Sequence, residues 1–178
     1  MSTVTDKLTI APRVAEIKQT LQQSRQDTLQ LIATIDEQII NYRLRPDAWS
    51  IKDHVAHLLA VEESVLHFAH RILNEDCPVS PLCNEIAFNQ DAWNNREVAK
   101  RADYSWAETT AALHQTRQDL LALLDRIPDE ALNRLGSHPA WGAPVTLASV
   151  LRVPYRHERG HRDEMAILCE LARTPSPS

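Results

Sequence analysis

Apolar residues recur at steps of three and four along most of the chain, and the breaks between those runs divide it into elements. Val14, Ile17, Leu21, Thr28, Leu31, Ile32 and Ile35 follow this period, the signature of an amphipathic helix. The spacing predicts a first helix from Pro12, which suits a first turn, to about Ile35. Pro46 then pushes Arg45 out of the helical region. Ser50 with Asp53 three residues on is a capping-box variant, and predicts a second helix from Ile51 to about Leu73. Ile51, His54, Val55, Leu58, Val61, Val65, Phe68, Ala69 and Ile72 share its apolar face. The two prolines of "NEDCPVSPL" end it. A shorter helix is expected from Asn84 to Ala99, with Ile86, Trp93 and Val98 among its apolar residues. Ser105 and Glu108 form a second capping box, opening a helix to about Leu124 whose apolar face carries Ala112, Leu113, Leu120, Leu123 and Leu124. "RIPDEALNRLGSHPAWGAP" reads as a loop without strands. The last helix is expected from about Thr146 to Ala172, and Pro154 inside it should kink it or split off a first turn.

Four long helices joined by loops predict an all-α protein, a four-helix bundle over residues 12–173 with long loops and a short extra helix. The loops exceed a minimal up-down design, so they include crossovers or cover one end. Residues 1–11 are expected to be a flexible N-terminus, and the "TPSPS" tail, 174–178, to be disordered. At 178 residues, one domain with its own core is the natural reading.

Composition narrows the class. Three glycines and 5% aromatic residues are too few for a sandwich or barrel. A formal net charge of -5 argues against a nucleic-acid partner, which normally meets a basic face. No apolar run approaches the ~20 residues that span a bilayer, so no membrane is expected. The start, MSTVTDKLTI, is polar and has no signal-peptide pattern. Cys77, Cys83 and Cys169 match no zinc knuckle or ribbon, and a reduced, cytoplasmic setting is expected.

Eight histidines remain to be placed: His54, His57, His67, His70, His114, His138, His157 and His161. "HERGH", 157–161, spells the H-E-x-x-H of zinc proteases. At about 100° per residue, His161 lies about 40° round from His157, and both share the stripe of Val150, Pro154, Met165 and Leu168. Two imidazoles at i and i+4 on an inward face can bind one metal ion, whereas an unpaired buried pair needs other polar partners. A protease would need a third ligand downstream, and Asp163, Glu164 and Glu170 are badly placed for it. On the second helix both His54 and His57 lie near the buried side, His54 closer to the middle, and geometry leaves both open. His67 and His70 are expected in solvent, His114 has no partner in phase, and His138 in its loop is expected at the surface. Glu158 lies about 100° round from His157. It is a candidate catalytic group reaching a metal-bound water or orienting a ligand, or else a solvated or ion-paired side chain.

Three stretches resemble the DinB-like superfamily of metal-binding four-helix bundles, in its branch of metal-dependent hydrolases. "DAWSIKDHVAHLLAVEE" is similar to a W-S-x-x-x-x-x-x-H-L segment opening the second helix, "GSHPAWGAPVTLASVL" to the loop entering the last helix, and "HERGHRDEM" to an H-x-x-x-H signature. Together they span about residues 46–168. The resemblance implies a metal triad of His57, His157 and His161, so it selects His57 over His54. It also implies a homodimer. Pro154 departs from the family's unbroken helix, as do the charged Asp163 and Glu164.

Three neutral imidazoles leave a coordination position open, the layout of a catalytic zinc site. Nickel or iron suits the same nitrogens. Carboxylates usually hold the far ring nitrogens, and Asp53, Glu62 and Glu158 are the candidates. Trp49 and Trp141 are expected to wall the pocket or to pack in the core, with the core role first. The reading that follows is a small-molecule hydrolase using a divalent transition metal to activate water. The resemblance also implies an alternative, transfer of a low-molecular-weight thiol to an electrophile, for which basic residues near the metal are expected; Arg156, Arg159 and Arg162 flank the ligands. A further alternative is a non-catalytic bundle that binds a toxin or other small molecule.

Overall fold

The computed structural model describes residues 13–84 and 88–174. Its elements in chain order are α1 (Val14–Ile32), α2 (Ile51–Asn74), α3 (Gln90–Ala99), α4 (Trp106–Leu124), β1 (Leu135–His138), β2 (Gly142–Thr146), α5 (Leu147–Leu151) and α6 (Val153–Arg173). Both capping boxes are present: Ser50 and Asp53, like Ser105 and Glu108, exchange side-chain to backbone bonds. These satisfy N–H groups that a helix start leaves without partners. At α1 that task falls to Asp129, whose Oδ1 accepts from the Val14 amide at 2.8 Å.

The bundle is formed by α1, α2, α4 and α6. The main contacts run α1 to α4, α4 to α2, α2 to α6 and α6 back to α1. Consecutive helices α1 and α2 therefore face each other across a diagonal, and the 33–50 connection crosses one end of the bundle. This is the crossover that the loop lengths suggest.

Two boundaries differ from the sequence expectation. The first helix ends at Ile32, and Ile35 closes a tighter turn by donating to the Ile32 carbonyl at 3.1 Å. Ile35 is nonetheless buried, so periodicity registered its burial and not its backbone. The short helix begins at Gln90, where the Asn89 side chain caps the Ala92 amide; residues 85–87, with Ile86, lie outside the described residues, as do 1–12 and 175–178. Pro154 splits the last helix as expected. It sits in the first turn of α6, where its missing N–H has no partner to lose.

The loop before the last helix is not free of strands. β1 and β2 pair antiparallel, with Leu135 opposite Thr146, Gly136 opposite Val145 and His138 opposite Gly142. The hairpin lies against α2, and Gly136 fixes the approach: a Cβ there would stand 2.9 Å from both Phe68 Cζ and Ile72 Cγ1. Strands of four and five residues carry too little alternation to be seen in the sequence.

The apolar core is split in two. One cluster gathers Val14, Ile17 and Leu21 with Val65, Phe68, Leu120 and Leu124. The other gathers Ile32, Ile51, Val55, Leu58, Leu113 and Met165. Between them, each long helix contributes one buried charged residue: Arg25 from α1, Glu62 from α2, Arg117 from α4 and Glu158 from α6. Arg117 donates to both Glu62 and Glu158, and Arg25 does the same. The guanidinium groups also donate to the backbone carbonyls of Leu113 and Leu21. Two positive and two negative charges thus cancel inside a layer whose polar atoms are all engaged.

Candidate metal centre

Adjoining this layer, α2 and α6 bring His57, His157 and His161 together. His157 Nε2 lies 3.1 Å from His57 Nε2 and 3.1 Å from His161 Nε2. The three donor atoms lie within 4.8 Å of one another. His57 is fully buried and the other two are half-buried. Ligands held at ~2.0–2.1 Å by a tetrahedral ion would stand about 3.3 Å apart, close to the separations seen.

Hydrogen bonding alone does not satisfy this cluster. His161 Nδ1 is 2.7 Å from Glu164 Oε2. A carboxylate only accepts, so the His161 proton is assigned to Nδ1, which leaves a lone pair on Nε2. His157 Nε2 has either one proton or one lone pair, yet meets two other ring nitrogens. At most one of those contacts can be a simple two-centre hydrogen bond, and a cation held among the three nitrogens would resolve the other. The buried Nδ1 atoms of His57 and His157 have no hydrogen-bond partner.

The rings are held neutral, as metal ligation requires. Burial, reinforced by His157, His161 and His54, pushes the His57 pKa down to about 2. Burial, then His161, pushes His157 to about 4, against an opposing pull from Glu158. Burial also lowers His161, opposed by Glu164, and lowers His54 to about 4. An unfolded chain takes up these protons near pH 6.5, where the fold refuses them. The stability held above pH 6.5 should therefore fall progressively as pH drops from 6.5 toward 4. Denaturant midpoints of metal-free protein across that window check this, and a flat profile would contradict it.

Trp49 walls the cluster instead of joining the core. Its ring centroid lies 4.6 Å from that of His57, and its Nε1–H donates to Asn95 Oδ1 at 2.9 Å, so α3 fixes its orientation. Beside His57 and His157 opens a small cavity of about 50 Å³, lined also by Val61, Trp93, His138 and Trp141. His138 is buried, contrary to the surface position expected for it. Its ring stacks on Trp141 at 3.8 Å and 9°, and its Nδ1 accepts from the Ala140 amide at 3.2 Å. Burial lowers its pKa to about 4. Its membership in a hairpin, invisible as a strand pattern, is what turns it inward.

The other candidates are placed elsewhere. His67, His70 and His114 are exposed, as expected for His67 and His70. Glu158 does not join the three histidines: Ser24 donates to its Oε2 at 2.7 Å, Arg25 to its Oε1 at 2.6 Å and Arg117 to its Oε2 at 3.1 Å. Held by two guanidinium groups, its carboxyl stays below the usual range despite burial, which opposes this. Both of its oxygens are committed, which removes the freedom a proton-shuttling base needs. Glu62 belongs to the same layer and Asp53 to its capping box. The carboxylate that bonds an imidazole is instead Glu164. Arg156 and Arg159 are exposed, and Arg162 turns to the Ser24 carbonyl at 3.3 Å. Among the described residues, no Lys or Arg lines the cavity.

The family model described as the DinB superfamily matches residues 20–165. The chain belongs to the DinB superfamily. Solved structures share the fold. YfiT from Bacillus subtilis, described as a probable metal-dependent hydrolase with an unusual four-helix bundle topology, is 20% identical over 89% of this chain and 86% of its own, with a TM-score of 0.71. DfsB, a sibling lethal factor precursor, is 17% identical over 93% and 99%, with a TM-score of 0.76. A DinB-like protein from Bacillus cereus ATCC 10987 is 14% identical over 93% and 97%, with a TM-score of 0.63. Among curated proteins no sequence matches. No helix among the described residues is long and apolar enough to cross a membrane.

Proposed function

We propose that this DinB-superfamily protein is a metal-dependent hydrolase of a small molecule, holding a divalent transition metal through the Nε2 atoms of His57, His157 and His161. The observation that carries it is the convergence of three neutral imidazole nitrogens, unsatisfied by one another, at the wall of a small cavity. Zinc fits three nitrogens with an open position, and nickel or iron suits the same donors. Such an ion supplies Lewis acidity and lowers the pKa of a bound water to ~7. The likeness to YfiT supports the reading at the level of fold.

The chain's own residues divide the remaining work. Trp49 closes one side of the imidazole cluster and keeps bulk water from His57. His138 and Trp141 present a stacked, neutral face for a flat or apolar part of the substrate. Glu158 is a positioning residue: its ion pairs fix the turn of α6 that carries His157. Glu164 orients His161 through Nδ1. Among the described residues no Lys or Arg lines the cavity, so a charged substrate would find its counter-charge only in the ion.

The test uses zinc-loaded and metal-stripped protein against panels of esters and amides. Turnover should appear with the loaded protein, vanish on stripping and return when zinc is restored. Turnover that survives complete metal removal would overturn the proposal.

A further inference from the structure

The three-histidine set leaves one face of His161 unused. Its Nε2 points to His157, but its Nδ1 sits in a second cluster. Glu164 Oε2 lies 2.7 Å away and His54 Nδ1 3.0 Å away. His54 Nδ1 and Glu164 Oε2 are themselves 3.4 Å apart. His54 stands three residues before His57 on α2, and Glu164 three residues after His161 on α6. Residues at that spacing neighbour each other on a helix face, so the two helices present a second layer of donors directly beside the first.

We propose that His54 Nδ1, His161 Nδ1 and Glu164 Oε2 form a second divalent-metal site, joined to the first through the imidazole ring of His161. The inference rests on the three-histidine reading for the bridge, though not for the outer donors. Two imidazole nitrogens and one carboxylate oxygen suit zinc or cobalt. His54 Nδ1 stands 3.0 Å from His161 Nδ1 and 3.4 Å from Glu164 Oε2, near the spacing of atoms sharing one ion, and the 2.7 Å between His161 Nδ1 and Glu164 Oε2 is the hydrogen bond that the ion would replace. Glu164 is 57% exposed, and an open groove lined by Trp49, His54, His161, Glu164 and Leu44 leads to it, so ions reach this site from solvent. When it fills, the proton on His161 Nδ1 leaves to solvent, and the resulting imidazolate donates one nitrogen lone pair to each ion.

Metal-free full-length protein is titrated with Zn²⁺ by calorimetry and with Co²⁺ by visible absorption. Wild type should take up two equivalents. His54→Ala should keep the first and weaken the second at least tenfold; Glu164→Ala should weaken the second by the same margin and the first by less, since its carboxylate also orients His161. Glu164 lies on the surface of a helix, where Ala is well tolerated, so this variant tests the site even if His54→Ala folds poorly. His57→Ala should keep the outer equivalent alone. A single equivalent in wild type that Glu164→Ala leaves intact and His57→Ala abolishes would overturn the second site while leaving the first standing. A single equivalent that survives His57→Ala and is lost in Glu164→Ala would support the outer site and sink the three-histidine reading instead.

Discussion

Arg117→Met should destabilise the fold by about 3–5 kcal/mol, the usual cost of removing one partner from a buried ion pair. Arg117 is fully buried and donates to Glu62, to Glu158 and to the Leu21 carbonyl. Met fills similar volume but leaves two carboxylates facing one guanidinium, that of Arg25. For a domain this size the loss corresponds to a fall in Tm on the order of 10 °C. The layer between the two apolar clusters stands or falls as a unit, so Glu62→Gln added to Arg117→Met should recover part of the loss by removing the uncompensated charge. Denaturant unfolding of the two variants checks both statements. A loss below about 1 kcal/mol for Arg117→Met, in the range of an exposed pair, would show that the layer is not closed to water as described.

His157→Ala should weaken zinc binding by about a hundredfold or more. Zinc-binding free energies of roughly 10–16 kcal/mol shared among four ligands come to about 3 kcal/mol for each one removed. His157 is the central ligand, with Nε2 at 3.1 Å from both others, so its loss also breaks the contact between them. The fold should survive, because His157 is only half-buried and its neighbour Glu158 keeps its ion pairs. Competition with a chelator of known affinity reads the change. Unchanged affinity would remove His157 from the site.

Much of the bundle was legible because its signals are local. The capping boxes at Ser50 and Ser105 placed two helix starts to the residue, since each depends on only four consecutive positions. Pro154 announced the break before α6. The pairing of His157 with His161 followed from helical phase. Phase did not decide between His54 and His57, and the structure shows why: both reach His161, from opposite ring nitrogens. Resemblance to the family selected His57 for the three-histidine set, and the structure places its Nε2 against His157.

What escaped the sequence is non-local. The buried charges had a signal, for Arg25 falls in phase with Leu21 and Ile32, and Arg117 in phase with Leu113 and Leu120. Being charged, they interrupt the apolar periodicity of their helices. Only the fold shows that each meets two carboxylates from other helices, and this is what occupies Glu158. His138 depended on strands too short to show alternation and on Gly136 permitting a close approach to Phe68 and Ile72. Glu164 read as a departure from the family pattern, yet it is the carboxylate that bonds a histidine.

The central claim is that His57, His157 and His161 share one metal ion. It is tested most directly by anomalous diffraction from crystals of the zinc-loaded protein, collected on both sides of the zinc absorption edge. The account predicts an edge-dependent peak about 2.0–2.1 Å from all three Nε2 atoms. A fully loaded protein with no peak among those three nitrogens would contradict it.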